Sequence, residues 1–153
     1  MKVFEPFKLG NLELKNRMVV SAMVTNYCSP DGNATEKFIA YHEHKARGGW
    51  GLIITEDYAV TPTAGGFVRL PGLWEDGQIE SHRELTERVH RAGGKIAAQI
   101  YHAGRETSSA VTGVQPVAPS PVKEPSMPET PRELTVEEIH ELVEQFGDCA
   151  RRA

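Results

Sequence analysis

Three short clusters hold the polar residues best placed to do chemistry, and each lies at the end of an apolar run. Ser21, Thr25 and Asn26 end or follow MVVSAM (18–23), Glu56, Asp57 and Tyr58 lie near the end of GLIITEDYAV (51–60), and Gln99, His102 and Arg105 sit in and just beyond KIAAQIYHAG (95–104). Ser21-Ala22-Met23 sets small residues where backbone can approach a flat ligand, with Met23 against a ring. The other reading is a tight strand end with Met23 in the core. Gln99 lies inside an apolar strand, where an unpaired amide costs about 1–3 kcal/mol. Its donor and acceptor share one plane, so it either pairs with an imide or pyrimidine edge or is satisfied by a neighbouring strand end. Glu56 and Asp57 are adjacent, so alternation sends them to opposite faces and they do not form a paired acid and base. One of them is expected to contact backbone or an arginine.

Other chemistries find less support. His42 and His44 are two apart on a helical pattern, and His82 and His90 are eight apart, so neither pair has the spacing of a metal site. No metal is expected. No Gly-x-Gly-x-x-Gly follows the first run, there is no Walker loop, and Gly65-Gly66 opens no helix. The phosphate-cradling part of a nucleotide site is therefore not expected in these residues. Cys28 and Cys149 are the only cysteines, too few for a disulfide framework, and are expected as reduced thiols.

The elements that must position these residues can be read from periodicity. The three apolar runs, rich in Val and Ile, are expected to be parallel strands, each central and buried. Thr35 caps a helix over TEKFIAYHEHKARGG that Gly48-Gly49 ends, and QIESHRELTERVHRAGG repeats the arrangement with Leu85, Val89 and Ala92 inward. The order is β-α-β-α-β. Residues 107–134 carry six of the ten prolines and are expected to form a long loop without helix or central strand. Thr135 and Glu138 then make a capping box for a helix whose stripe is Val136, Ile139, Leu142, Val143, Phe146 and Cys149. That stripe is still running at Ala153. We therefore expect the front part of a larger fold, the alternative being a small self-contained three-layer α/β domain.

Composition agrees with a folded chain. The 153 residues are 39% hydrophobic with a net charge of −4, and no basic cluster offsets the acidity, so nucleic acid is not an expected partner. No run approaches the roughly 18 apolar residues of a membrane helix, and MKVFEPFKLG lacks the core of a signal peptide. A cytoplasmic location is expected.

Taken in register, LKNRMVVSAM, GLIITEDYAV and KIAAQIYHAGR resemble the amino-terminal half of the old yellow enzyme family of FMN-dependent reductases. The likeness is greatest to the branch with 2,4-dienoyl-CoA reductases, enoate reductases and bile-acid-inducible flavin oxidoreductases. It extends from FEPFKLGNLELKNR, similar to the hairpin that closes the bottom of that barrel, to the helix at 135–153. The resemblance implies α/β architecture: the amino-terminal part of a (β/α)8 TIM barrel, a single partial flavin-binding domain over 1–153 that ends before the fourth strand. It implies FMN, with hydride passing from NAD(P)H through flavin N5 to an activated C=C of an enone, enoate or enoyl-CoA. Ala22, Met23 and Val24 then correspond to the segment against the flavin ring, Asp57 to a position offering a backbone N–H near the flavin carbonyl edge, and Gln99 to the glutamine reading the pyrimidine. Val24 replaces a frequent Cys, Thr or His, and Asp57 replaces a small Ala or Gly.

The same resemblance places the remaining site residues on later strands, so no catalytic residue is assigned here. An iron–sulfur cluster of that branch would draw its cysteines from downstream, so Cys28 and Cys149 are not assigned to one. Tyr27, Cys28 and the 107–134 loop are expected at the substrate entrance. Residues 1–153 alone are expected to be inactive and to bind FMN weakly or not at all. A homo-oligomer or a missing barrel half is the expected partner, and a non-catalytic half-barrel is the alternative function.

Overall fold

The structure is a computed structural model describing all of residues 1–153. A short hairpin, β1 (Phe7–Leu9) and β2 (Leu12–Leu14), pairs antiparallel with Phe7 opposite Leu14. Gly10, at φ 58°, supplies the left-handed residue its turn needs. The main sheet follows, with β3 (Val19–Val20), β4 (Leu52–Ala59) and β5 (Lys95–Tyr101) parallel and β4 in the middle. Val19 pairs with Leu52, and Leu52 with Lys95, so the three strands start level.

Helices α1 (Glu36–Arg47) and α2 (Ile79–Arg91) connect them. The Thr35 hydroxyl accepts the Phe38 N–H and donates to the Tyr27 carbonyl, so one side chain caps α1 and anchors the chain before it. Gly49 ends α1 at φ 95°. The first core cluster joins Val20 and Ile53 of the sheet to Phe38, Ile39 and Ala46 of α1 and Leu85 and Val89 of α2. The final helix, α4 (Val136–Arg152), carries the expected Thr135–Glu138 capping box. It turns Cys149, with Leu142 and Phe146, onto a second cluster of Tyr58, Ala59, Val60, Ala64 and Leu73.

Three expectations need correction. Only β4 is mostly buried, with Ile54 and Asp57 half-buried; β3 and β5 are the outer strands, and Lys95, Ala97 and Gln99 of β5 are exposed while Ile96, Ala98 and Ile100 pack on the helix side. The small Ala97 makes that open face look apolar in sequence. The first strand is shorter than 18–23, because residues 21–27 leave the ladder and are held by side chains instead. The 107–134 loop does contain structure: a one-turn helix, α3 (Ser109–Thr112), and two two-residue strands, β6 (Val117–Ala118) and β7 (Arg132–Glu133), paired in parallel. Prolines exclude central strands but tolerate such short edges.

Candidate functional site

The carboxyl ends of β3, β4 and β5 bring the sequence clusters together. A one-residue register shift between Ile54 and Asp57 interrupts the alternation of β4. Glu56 and Asp57 consequently part company by reaching different neighbours, Glu56 toward the segment after β3 and Asp57 toward β5. They do not pair as acid and base, although strict strand alternation is not what separates them.

Glu56 is 1% exposed, and one of its oxygens accepts the backbone N–H of Thr25. Its other oxygen and the Thr25 hydroxyl oxygen are buried without a partner. Burial pushes the Glu56 carboxyl above the usual range, and the hydrogen bond from the Thr25 N–H opposes that rise. Asn26 adopts φ 56°, a left-handed turn that asparagine tolerates. The result is a braced loop whose preceding residues face outward: Met23 is 51% and Val24 38% exposed, with Ala22 half-buried. Met23 is therefore not a core residue.

Asp57 lies directly opposite Gln99, and the Gln99 amide N–H donates to the Asp57 carboxylate. The Gln99 backbone N–H reaches the Thr55 hydroxyl at 3.4 Å. Gln99 is exposed, not buried as expected, because its side chain stands on the open face of β5. Burial raises the Asp57 carboxyl, and the bond from Gln99 opposes it.

The other strand-end residues do different work. Tyr58 turns to the helix side, where its hydroxyl meets His82 Nδ1 at 2.8 Å; His82 Nε2 in turn meets the Gly32 carbonyl at 3.0 Å. Since a carbonyl only accepts, Nε2 carries the hydrogen and Nδ1 accepts from Tyr58. His102 Nδ1 accepts the Gly104 N–H at 2.9 Å, and Arg105 donates to the Val122 carbonyl at 3.2 Å, fastening the long loop. Cys28 is fully buried in the first core cluster and lines no entrance, and Tyr27 is engaged by Tyr41 and Lys37. Hydrophobic packing claimed the thiol that its loop position had suggested was open.

Tyr101 escaped notice in the sequence. It shares the open face with Gln99, two residues earlier, and its hydroxyl lies 2.7 Å from where a side chain on Gly66 would begin. The period-two alternation of β5 would have found it. A cavity of about 300 Å³ lies elsewhere, lined by Thr55, Tyr58, His82, Ile96 and Arg152. It is a gap between helices on the covered side of the sheet, away from the exposed amide, and carries no part of this site.

Parallel strands wrapped by helices, with polar groups gathered at the strands' carboxyl ends, define the amino-terminal part of a (β/α)8 barrel. The chain belongs to the NADH:flavin oxidoreductase / NADH oxidase family, whose family model matches residues 2–153. It is 43% identical to the NADH oxidase of Thermoanaerobacter brockii over 153 residues, covering 99% of this chain and 24% of that protein. The structure of morphinone reductase in complex with tetrahydroNAD superposes with a TM-score of 0.90 at 34% identity, over 99% of this chain and 46% of that one. The old yellow enzyme homologue from Zymomonas mobilis gives 0.89 at 33%, over 100% and 45%. The chain thus spans less than half the length of each of these relatives.

Proposed function

We propose that residues 1–153 form the part of an FMN-dependent NAD(P)H oxidoreductase that receives the flavin ring and its pyrimidine edge. The observation that carries this reading is the exposed Gln99 carboxamide, in register with Asp57 and beside the braced 22–24 segment. The fit is chemical. Gln99 keeps its oxygen and one amide hydrogen free, which suits the adjacent donor and acceptor of an imide, and Ala22-Met23-Val24 offers slender apolar side chains to a flat ring.

Bound there, FMN would supply hydride transfer between NAD(P)H and an activated C=C of an enone, enoate or enoyl-CoA. The chain's own contribution is binding and orientation. Gln99 reads the pyrimidine edge, Asp57 stands where its backbone N–H serves the carbonyl edge, and Glu56 holds the 22–26 segment against the ring. The Val24 side chain cannot hydrogen-bond, so it shields the ring without tuning it. Cys28 and Cys149, both buried, have no place in a cluster.

The test is the flavin content of the full-length gene product and its response to NADH or NADPH without oxygen. Bound FMN that bleaches and is restored by an enone or enoate is the expected result; absence of flavin would sink the reading. Expressed by themselves, residues 1–153 leave the outer edges of β3 and β5 unpaired, which favours self-association over flavin binding. That second reading, a non-catalytic half-barrel, predicts a defined oligomer without flavin colour in size-exclusion chromatography.

A further inference from the structure

Asp57 and Gln99 are joined in a way that decides what Gln99 can offer. A carboxamide can turn by half a revolution and exchange its donor and acceptor at almost no cost in shape. An ionised carboxylate has no hydrogen to give, so its contact with Gln99 admits only the orientation in which the nitrogen faces β4. The Gln99 oxygen then points away from β4, with no partner in the protein, beside the remaining amide hydrogen.

Asp57 is also an uncompensated charge. None of the ion pairs of the chain includes it. The titratable groups around it are Glu56, its neighbour on β4, and Tyr101, on the face of β5 that carries Gln99. Neither brings a positive charge. The only stabilisation the carboxylate receives from a side chain is the Gln99 N–H.

We propose that Asp57 is a positioning residue that fixes the Gln99 carboxamide with its oxygen toward the ligand and sets an unpaired negative charge beside the edge that Gln99 reads. This rests on the flavin reading given above. Two consequences follow, one for each property. Freed from Asp57, Gln99 must be ordered when the ligand binds, which weakens binding roughly 2- to 10-fold. The negative charge opposes the charge that two electrons and one proton leave on a flavin ring, so removing it makes reduction easier.

The experiment compares wild type, Asp57→Asn, Asp57→Ala, Gln99→Ala and the Asp57→Ala/Gln99→Ala double variant of the full-length gene product. FMN affinity is read by fluorescence titration and the midpoint potential of bound FMN by reductive titration. Asp57→Ala should bind FMN roughly 2- to 10-fold more weakly. In Asp57→Asn the new amide can donate as well as accept, so Gln99 is held near β4 but its orientation is no longer fixed; affinity should fall by no more than in Asp57→Ala while the potential rises. The double variant should bind no more weakly than Gln99→Ala, because the two residues act through one amide. A flavin-loaded wild type whose affinity is unchanged by Asp57→Ala, or whose potential is unmoved by Asp57→Asn, overturns the role of Asp57 alone. A wild type that takes up no FMN overturns the flavin reading and this proposal with it. Should Asp57→Ala fail to fold, the isosteric Asp57→Asn still decides through its potential.

Discussion

Glu56 replaces a β-ladder with a single side chain: its carboxylate takes the Thr25 N–H that no neighbouring strand reaches. Glu56→Ala should leave that amide unpaired and cost about 1–3 kcal/mol in urea unfolding, with a loss of FMN affinity in the same variant. Unchanged stability would mean that the 21–27 segment holds itself. Gln99 and Asp57 were legible in the sequence because an amide and a carboxylate are conspicuous in apolar runs. Their pairing was not, since it depends on a register that β4 shifts by one residue and that nothing in LIITEDYA announces. Cys28 misled for the complementary reason, as a loop position says nothing about which way a small apolar group turns.

At the level of elements, capping chemistry translated most directly into structure. Thr35, Thr135 and Glu138 occupy the cap positions that their types and spacing indicate, because a cap is a local hydrogen bond needing no distant partner. Thr135→Ala should lower stability by about 0.5–2 kcal/mol, measured by thermal or urea unfolding. An effect near zero would show that packing of Phe146 and Cys149 alone holds α4. Strand burial was less legible, because whether an apolar strand is central depends on its neighbours. In this structure β5 shows its Lys95, Ala97, Gln99 face to the open side, while the central β4 is buried except at the half-buried Ile54 and Asp57.

Over the whole molecule, two buried histidines shape the response to acid. His42 and His82 are both held at about 4 by burial, against an ordinary value of 6.5. Between about 6.5 and 4 the unfolded chain takes up protons that the folded chain refuses, so stability falls as pH falls through that window. Each histidine contributes at most about 1.4 kcal/mol per pH unit, and neither contributes above 6.5. Glu56, whose carboxyl is raised, acts with the opposite sign, losing stability as pH rises through its range. Both ring nitrogens of His42 lack partners, and the ring packs edge-on against Phe38 at 4.6 Å. His42→Leu should therefore flatten the acid limb of the pH profile without lowering stability near pH 7; an unaltered limb would refute the assignment. Whether the carboxyl ends of β3, β4 and β5 receive a flavin through Gln99 is decided by FMN titration of the full-length gene product and its Gln99→Ala variant. Tight binding that Gln99→Ala weakens by about 1–3 kcal/mol is expected; equal FMN affinity in the two proteins would rule that role out.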